Sequence, residues 1–137
     1  MSTIAKGNAA EAAIIHALEK AGIVTLIPFG GGCPFDVAAL LPDDRLLRIQ
    51  VKCGRIKNGC VLFNTHATDH GRGALHYRGR ADLIGVYAPT LDAVFMVDVH
   101  QFPPTSGCLR LEPPRNNQRL HIKFAEDYTF ERWLAAL

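Results

Sequence analysis

The sequence predicts a mixed α and β fold in one domain, residues 1–137, on three observations. Apolar residues near the start recur at helical spacing, the segment Leu46 to Cys53 alternates apolar and polar residues, and several further apolar segments are too short for helices and end in glycine, proline or aspartate turns. With 48% of its 137 residues hydrophobic and 20% charged, the chain has the profile of a domain that buries its own core.

Helical spacing of Ala10, Ile14, Ala17, Leu18 and Ala21 predicts a helix over Gly7 to Ala21, with Gly22 as its stop. Glu11 falls beside Leu18 at the edge of the apolar stripe, whereas Glu19 and Lys20 point outward. Three strands follow, Ile23 to Phe29, Phe35 to Leu41 and Leu46 to Cys53, separated by the flexible Gly30-Gly31-Gly32 turn and a Pro42-Asp43-Asp44 hairpin. In the third strand, Leu47, Ile49, Val51 and Cys53 take one face and Arg48, Gln50 and Lys52 the other.

Cys60 to Asn64 is a further short strand, and His66 to Gly73 reads as a polar, glycine-containing loop rather than a metal-binding helix. Leu83 to Tyr87 and Ala93 to Val99 are two more strands around a turn at Pro89 to Asp92. Leu109 to Leu111 lies between two Pro-Pro pairs, Leu120 to Phe124 is a candidate edge strand, and Asp127 to Leu137 reads as a docking helix or an oligomer contact.

The net charge is +2, yet the segment Arg45 to Arg80 holds eight basic residues against the single acid Asp69. Such a zone concentrates a polyanion, and its adjacency to Asp36 and Lys52 favours a nucleic acid over a merely solvated face. Cys33, Cys53, Cys60 and Cys108 form no Cys-x-x-Cys pair, so the expectation is buried free thiols rather than zinc. No apolar stretch is long enough to span a membrane and none resembles a leader, which points to an intracellular protein.

The strongest chemical signal is Pro34-Phe35-Asp36 followed by Ile49-Gln50-Val51-Lys52. An acid, an amide and an ammonium set into sheet-like segments must be satisfied by one another, by a metal or by a ligand. Phosphodiester hydrolysis needs a cation against developing phosphoryl charge and an oriented, activated water. Asp36, Gln50, Glu11 and the backbone carbonyl of Val51 are oxygen donors suited to Mg2+, with Mn2+ able to substitute, and Lys52 can serve the water or the phosphate. The bland alternatives are an Asp36 that caps a turn and a Lys52 that snorkels to water. Bringing Asp36, Gln50 and Lys52 together requires an odd-numbered hairpin loop, Asp43 to Arg45, which pairs Asp36 with Lys52, or a bulge of equal effect.

These residues resemble the PD-(D/E)XK nuclease superfamily, in the variant where glutamine replaces the second acid. The longer text is similar to the small group I intron-associated homing endonucleases of that superfamily: Pro28-Phe29-Gly30 through Phe35-Asp36, Leu47 to Lys52, Phe63-Asn64-Thr65, Tyr77-Arg78-Gly79, Ala81-Asp82 and Pro113 to Gln118. The resemblance implies a restriction-endonuclease-like α/β (α+β) core of order αβββαβ, with a mixed central sheet and added strands. It also implies metal-dependent cleavage of duplex DNA and a homodimer or homotetramer that presents paired sites to the two strands.

Carried over, Glu11, Asp36 and Gln50 are metal-site residues and Lys52 activates water or contacts phosphate, while Glu11 either ligates the metal, holds a water or orients Lys52. DNA contacts are expected from Arg48, Arg55, Lys57, Arg72, Tyr77, Arg78 and Arg80, and from Arg115, Asn116 and Asn117. The competing readings are a Holliday-junction or repair nuclease of the same fold and a catalytically silent DNA-binding module.

Overall fold

A computed structural model of the chain describes residues 1–69, 73–76, 80–103, 105–116 and 119–137. Helix α1 spans Thr3–Lys20, starting one turn earlier than its apolar spacing suggests because Ser2 caps it: the Ser2 hydroxyl accepts the Ala5 N–H at 3.1 Å. Its stripe of Ala10, Ile14 and Leu18 is buried, and Gly22 leaves the helix with φ +78°.

The strands are β1 (Val24–Leu26), β2 (Val37–Leu40), β3 (Leu46–Cys53), β4 (Arg55–Lys57), β5 (Cys60–Asn64), β6 (His66–Asp69), β7 (Gly73–His76), β8 (Leu83–Ala88), β9 (Ala93–Asp98) and β10 (Ser106–Arg110). Five form a mixed sheet in the order β1-β2-β3-β8-β9, in which only β3 and β8 run parallel. A smaller antiparallel sheet, β10-β5-β4, packs on one face of it, and β6 and β7 pair as a hairpin.

The alternation in β3 and β8 explains the layering. Ile49 and Val51 join Ala10, Ile14, Leu18, Val37 and Ala39 in the core beneath α1. The opposite face sends Ile84, Val86 and Ala88 against Val61, Phe63 and Leu109 of the smaller sheet. Close approach needs glycine at Gly85, where a Cβ would come within 2.9 Å of Ile14, and at Gly107, where it would come within 2.3 Å of the Phe63 ring.

The order of one helix, three strands and a mixed sheet is the one the resemblance implied. The crossover between the parallel strands β3 and β8 carries β4 to β7 among the described residues, where that order has a helix. Helix α2 (Phe130–Ala135) closes the helical layer, with Phe130 buried and Trp133 and Leu134 packed beside it.

Several expectations are corrected. Of the expected loop from His66 to Gly73, residues 66–69 instead form a strand paired with residues 73–76, because residues 65 and 66 are tied to the chain near Thr105 and the two segments satisfy each other's backbone; residues 70–72 lie outside the described residues. Leu120 to Phe124 forms no strand: Phe124 makes a single bridge to Arg110. The four cysteines are free, but only Cys60 is buried, while Cys33, Cys53 and Cys108 are exposed. No helix among the described residues is long and apolar enough to cross a membrane.

Candidate active site

The site forms where β2 begins and β3 ends. The hairpin between them has the three-residue loop Pro42, Asp43, Asp44, closed by Leu41 N–H on the Arg45 carbonyl at 2.8 Å, with Asp44 at φ +67°. The loop is odd-numbered as expected but begins one residue earlier, since proline enters the turn and Arg45 stays in the ladder. The register is Val37 with Ile49 and Leu40 with Leu46, so Asp36 does not stand opposite Lys52 as expected.

A bulge compensates. Asp36 gives its own N–H to the Ile49 carbonyl at 2.9 Å, while Val37 is in register with the same Ile49, so two residues of one strand face one of the other. The bulge swings the Asp36 side chain toward β3, where its Oδ2 accepts the Val51 N–H at 2.9 Å. In a strand the N–H and C=O of one residue point to the same side, so the Val51 carbonyl also projects at this edge. Gln50 Nε2 donates to that carbonyl over a long 3.4 Å.

Asp36 sits within electrostatic reach of both Glu11 on α1 and Lys52 on β3. Burial and then the Asp36 charge raise the Glu11 carboxyl above its ordinary value. Lys52 is half-buried; desolvation lowers its ammonium below the usual lysine value, and the Asp36 charge opposes that shift. Its Nζ donates to the His66 carbonyl at 3.1 Å. That carbonyl is itself braced, because His66 Nδ1 lies 2.8 Å from the Thr105 carbonyl and the Thr65 hydroxyl donates to Pro103.

Glu11 and Asp36 open onto a cavity of about 330 Å³ walled by Ile27, Pro28, Gly30, Gly31, Gly32, Cys33 and Phe35. Two carboxylates that repel each other, a projecting backbone carbonyl and an amide make an oxygen donor set, which fits a hard divalent cation such as magnesium rather than a thiolate-seeking metal. No group of three His, Cys, Asp or Glu side chains able to hold a metal occurs among the described residues.

The structure thus brings Glu11, Asp36, Val51 and Lys52 together, with Gln50 beside them. Arg48 is engaged elsewhere: its side chain and its backbone N–H all reach the Asp82 carboxylate, at 2.8 to 3.2 Å. Arg55 and Lys57 are exposed on β4, Arg80 is half-exposed, and Arg115 and Asn116 are exposed in a turn. Arg72, Tyr77, Arg78 and Asn117 lie outside the described residues. Sequence reasoning missed the wall from Ile27 to Cys33 and the His66 carbonyl; the glycine triplet was the one available signal for the wall.

A bacterial homing endonuclease, I-Ssp6803I, has a similar solved structure: TM-score 0.75 at 23% identity, covering 100% of this chain and 94% of that one. At that identity the likeness is one of fold. No curated protein matches the chain. A family model described as PD-(D/E)XK endonuclease matches residues 1–131, a span that includes the helix carrying Glu11, the bulge at Asp36 and the strand ending in Gln50-Val51-Lys52. This chain therefore belongs to the PD-(D/E)XK endonuclease family.

Proposed function

We propose that the protein is a divalent-metal-dependent endonuclease that hydrolyses phosphodiester bonds of duplex DNA inside the cell, with site-specific homing as its role. The convergence of Glu11, Asp36, the Val51 carbonyl and Lys52 at one edge of the sheet carries this reading. Asp36, Gln50 and the Val51 carbonyl would hold the cation, with Glu11 as a further ligand or as the anchor of a water. When bound, a magnesium or manganese ion neutralises charge building on the phosphoryl oxygens and lowers the pKa of water.

The remaining work falls to the chain itself. Lys52, held by the His66 carbonyl and partly desolvated, has an ammonium that releases its proton more readily than a free lysine. It is placed to orient the attacking water or to steady a phosphate oxygen. Exposed Arg55, Lys57, Arg115 and Asn116, with Arg80, Arg72, Tyr77, Arg78 and Asn117, would track the backbone or read base edges. Arg48 would reach DNA only by giving up part of its pairing with Asp82. One site serves one strand, so a homodimer or homotetramer would be the cleaving species.

The test is cleavage of supercoiled plasmids and mixed-sequence duplexes in magnesium, against EDTA. Wild-type protein should cut, and Lys52→Ala should lose about 100-fold or more while still binding DNA. Binding without cleavage by the wild type would make it a silent DNA-binding module. Preference for branched over linear DNA would make it a junction or repair nuclease.

A further inference from the structure

The cavity wall carries a side chain that the catalytic reading leaves unused. Phe29 is 104% exposed and Ile27 beside it 57%. Pro28 and Gly30 to Gly32, on either side of Phe29, line the cavity that holds Glu11 and Asp36, so the phenyl ring stands outward from a wall whose inner surface faces the carboxylates. Gly30 and Gly32 have φ of +78° and +83°, and added Cβ atoms at Gly30, Gly31 and Gly32 would meet nothing within 4 Å. The wall is therefore unpacked at its three glycines.

From Ala21 to Phe35 the chain carries no charged residue. The segment itself brings no carboxylate to the rim, and the acids that line the cavity are Glu11 and Asp36. A phenyl ring bared to water at such a rim has no folding role, and the macromolecule that must come to this rim is the substrate itself.

We propose that Phe29 is a DNA contact of the site, an apolar wedge that stacks on a base beside the scissile phosphate and partly unstacks the neighbouring step. This rests on the reading of the protein as a duplex-DNA endonuclease. Apolar side chains at base steps unstack and kink DNA in this way, and the base face is recognised whatever the sequence. The distortion would loosen the strand at the point where Asp36 and Lys52 act.

The experiment uses a covalently closed plasmid, relaxed by a metal-independent topoisomerase in EDTA with the full chain present, so that no cleavage interferes. Wild type and Phe29→Trp should lower the linking number of the product. Phe29→Ala should leave it unchanged and bind plasmid about tenfold more weakly. Phe29→Ala that unwinds DNA as wild type does, or a wild type that binds without unwinding, overturns the inference while the endonuclease reading stands. If Phe29→Ala instead changes the oligomeric mass by light scattering, Phe29 belongs to an interface between copies and the inference is also overturned. A wild type that binds no DNA at all sinks both readings.

Discussion

The Asp36 carboxylate takes the backbone N–H of Val51 at 2.9 Å, between Gln50 and Lys52 in the chain. At that point β2 has peeled away, and the side chain stands in for the strand that would otherwise satisfy the donor. One interaction therefore completes the sheet edge and places the acid among the groups of the site.

This dual role separates two substitutions. Asp36→Asn keeps an oxygen acceptor for Val51 and should unfold within about 0.5 kcal/mol of wild type, yet lose cleavage. Asp36→Ala should lose cleavage and in addition about 1–2 kcal/mol, the cost of an unsatisfied backbone donor. Urea unfolding read beside plasmid cleavage checks both; equal stability of the two variants would mean that the Val51 contact is not structural.

Gln50 keeps the donor set one charge short of a carboxylate. Gln50→Glu should tighten magnesium or manganese binding to the free protein by about tenfold, read by calorimetry. An unchanged affinity would place the cation elsewhere.

Glu11 has a raised carboxyl, so its protonated form is the one the fold favours. The stability this gives is complete below the unfolded value near 4.5 and is lost as pH rises through the higher folded value. Glu11→Gln should therefore melt higher than wild type at pH 7 and equal to it at low pH, while cleaving less well. Equal melting of the two at pH 7 would count against the burial and the Asp36 charge that raise the Glu11 carboxyl.

The Asp82 carboxyl moves the other way, lowered chiefly by its hydrogen bonds from Arg48 and opposed by burial. Its stabilisation is present above the unfolded value near 3.8 and is lost as pH falls through the lower folded value. Each side chain of the pair is about a third exposed, 34% and 36%, so solvent screening limits the gain to about 1 kcal/mol. Denaturant unfolding of Asp82→Asn should show that deficit at pH 7, shrinking toward nothing as pH falls below the folded value.

Short stretches of the sequence were enough for the local elements and the family resemblance. Alternation bounded β3 at Leu46–Cys53, helical spacing located α1 and put Glu11 at the edge of its stripe, and the segments around Asp36 and Lys52 carried the family resemblance. Periodicity reports which face a residue takes within its own segment, and little beyond it. The longer-range pairings come only with the packed chain: a bulge turns Asp36 toward Val51, His66 holds Lys52, the wall from Ile27 to Cys33 faces the carboxylates and Arg48 is tied to Asp82. Those pairings join residues 14 to 34 positions apart in the hydrogen-bonded cases, and they depend on strand register and on how the layers stack. Both are set by the packing of the whole core, which no local pattern encodes.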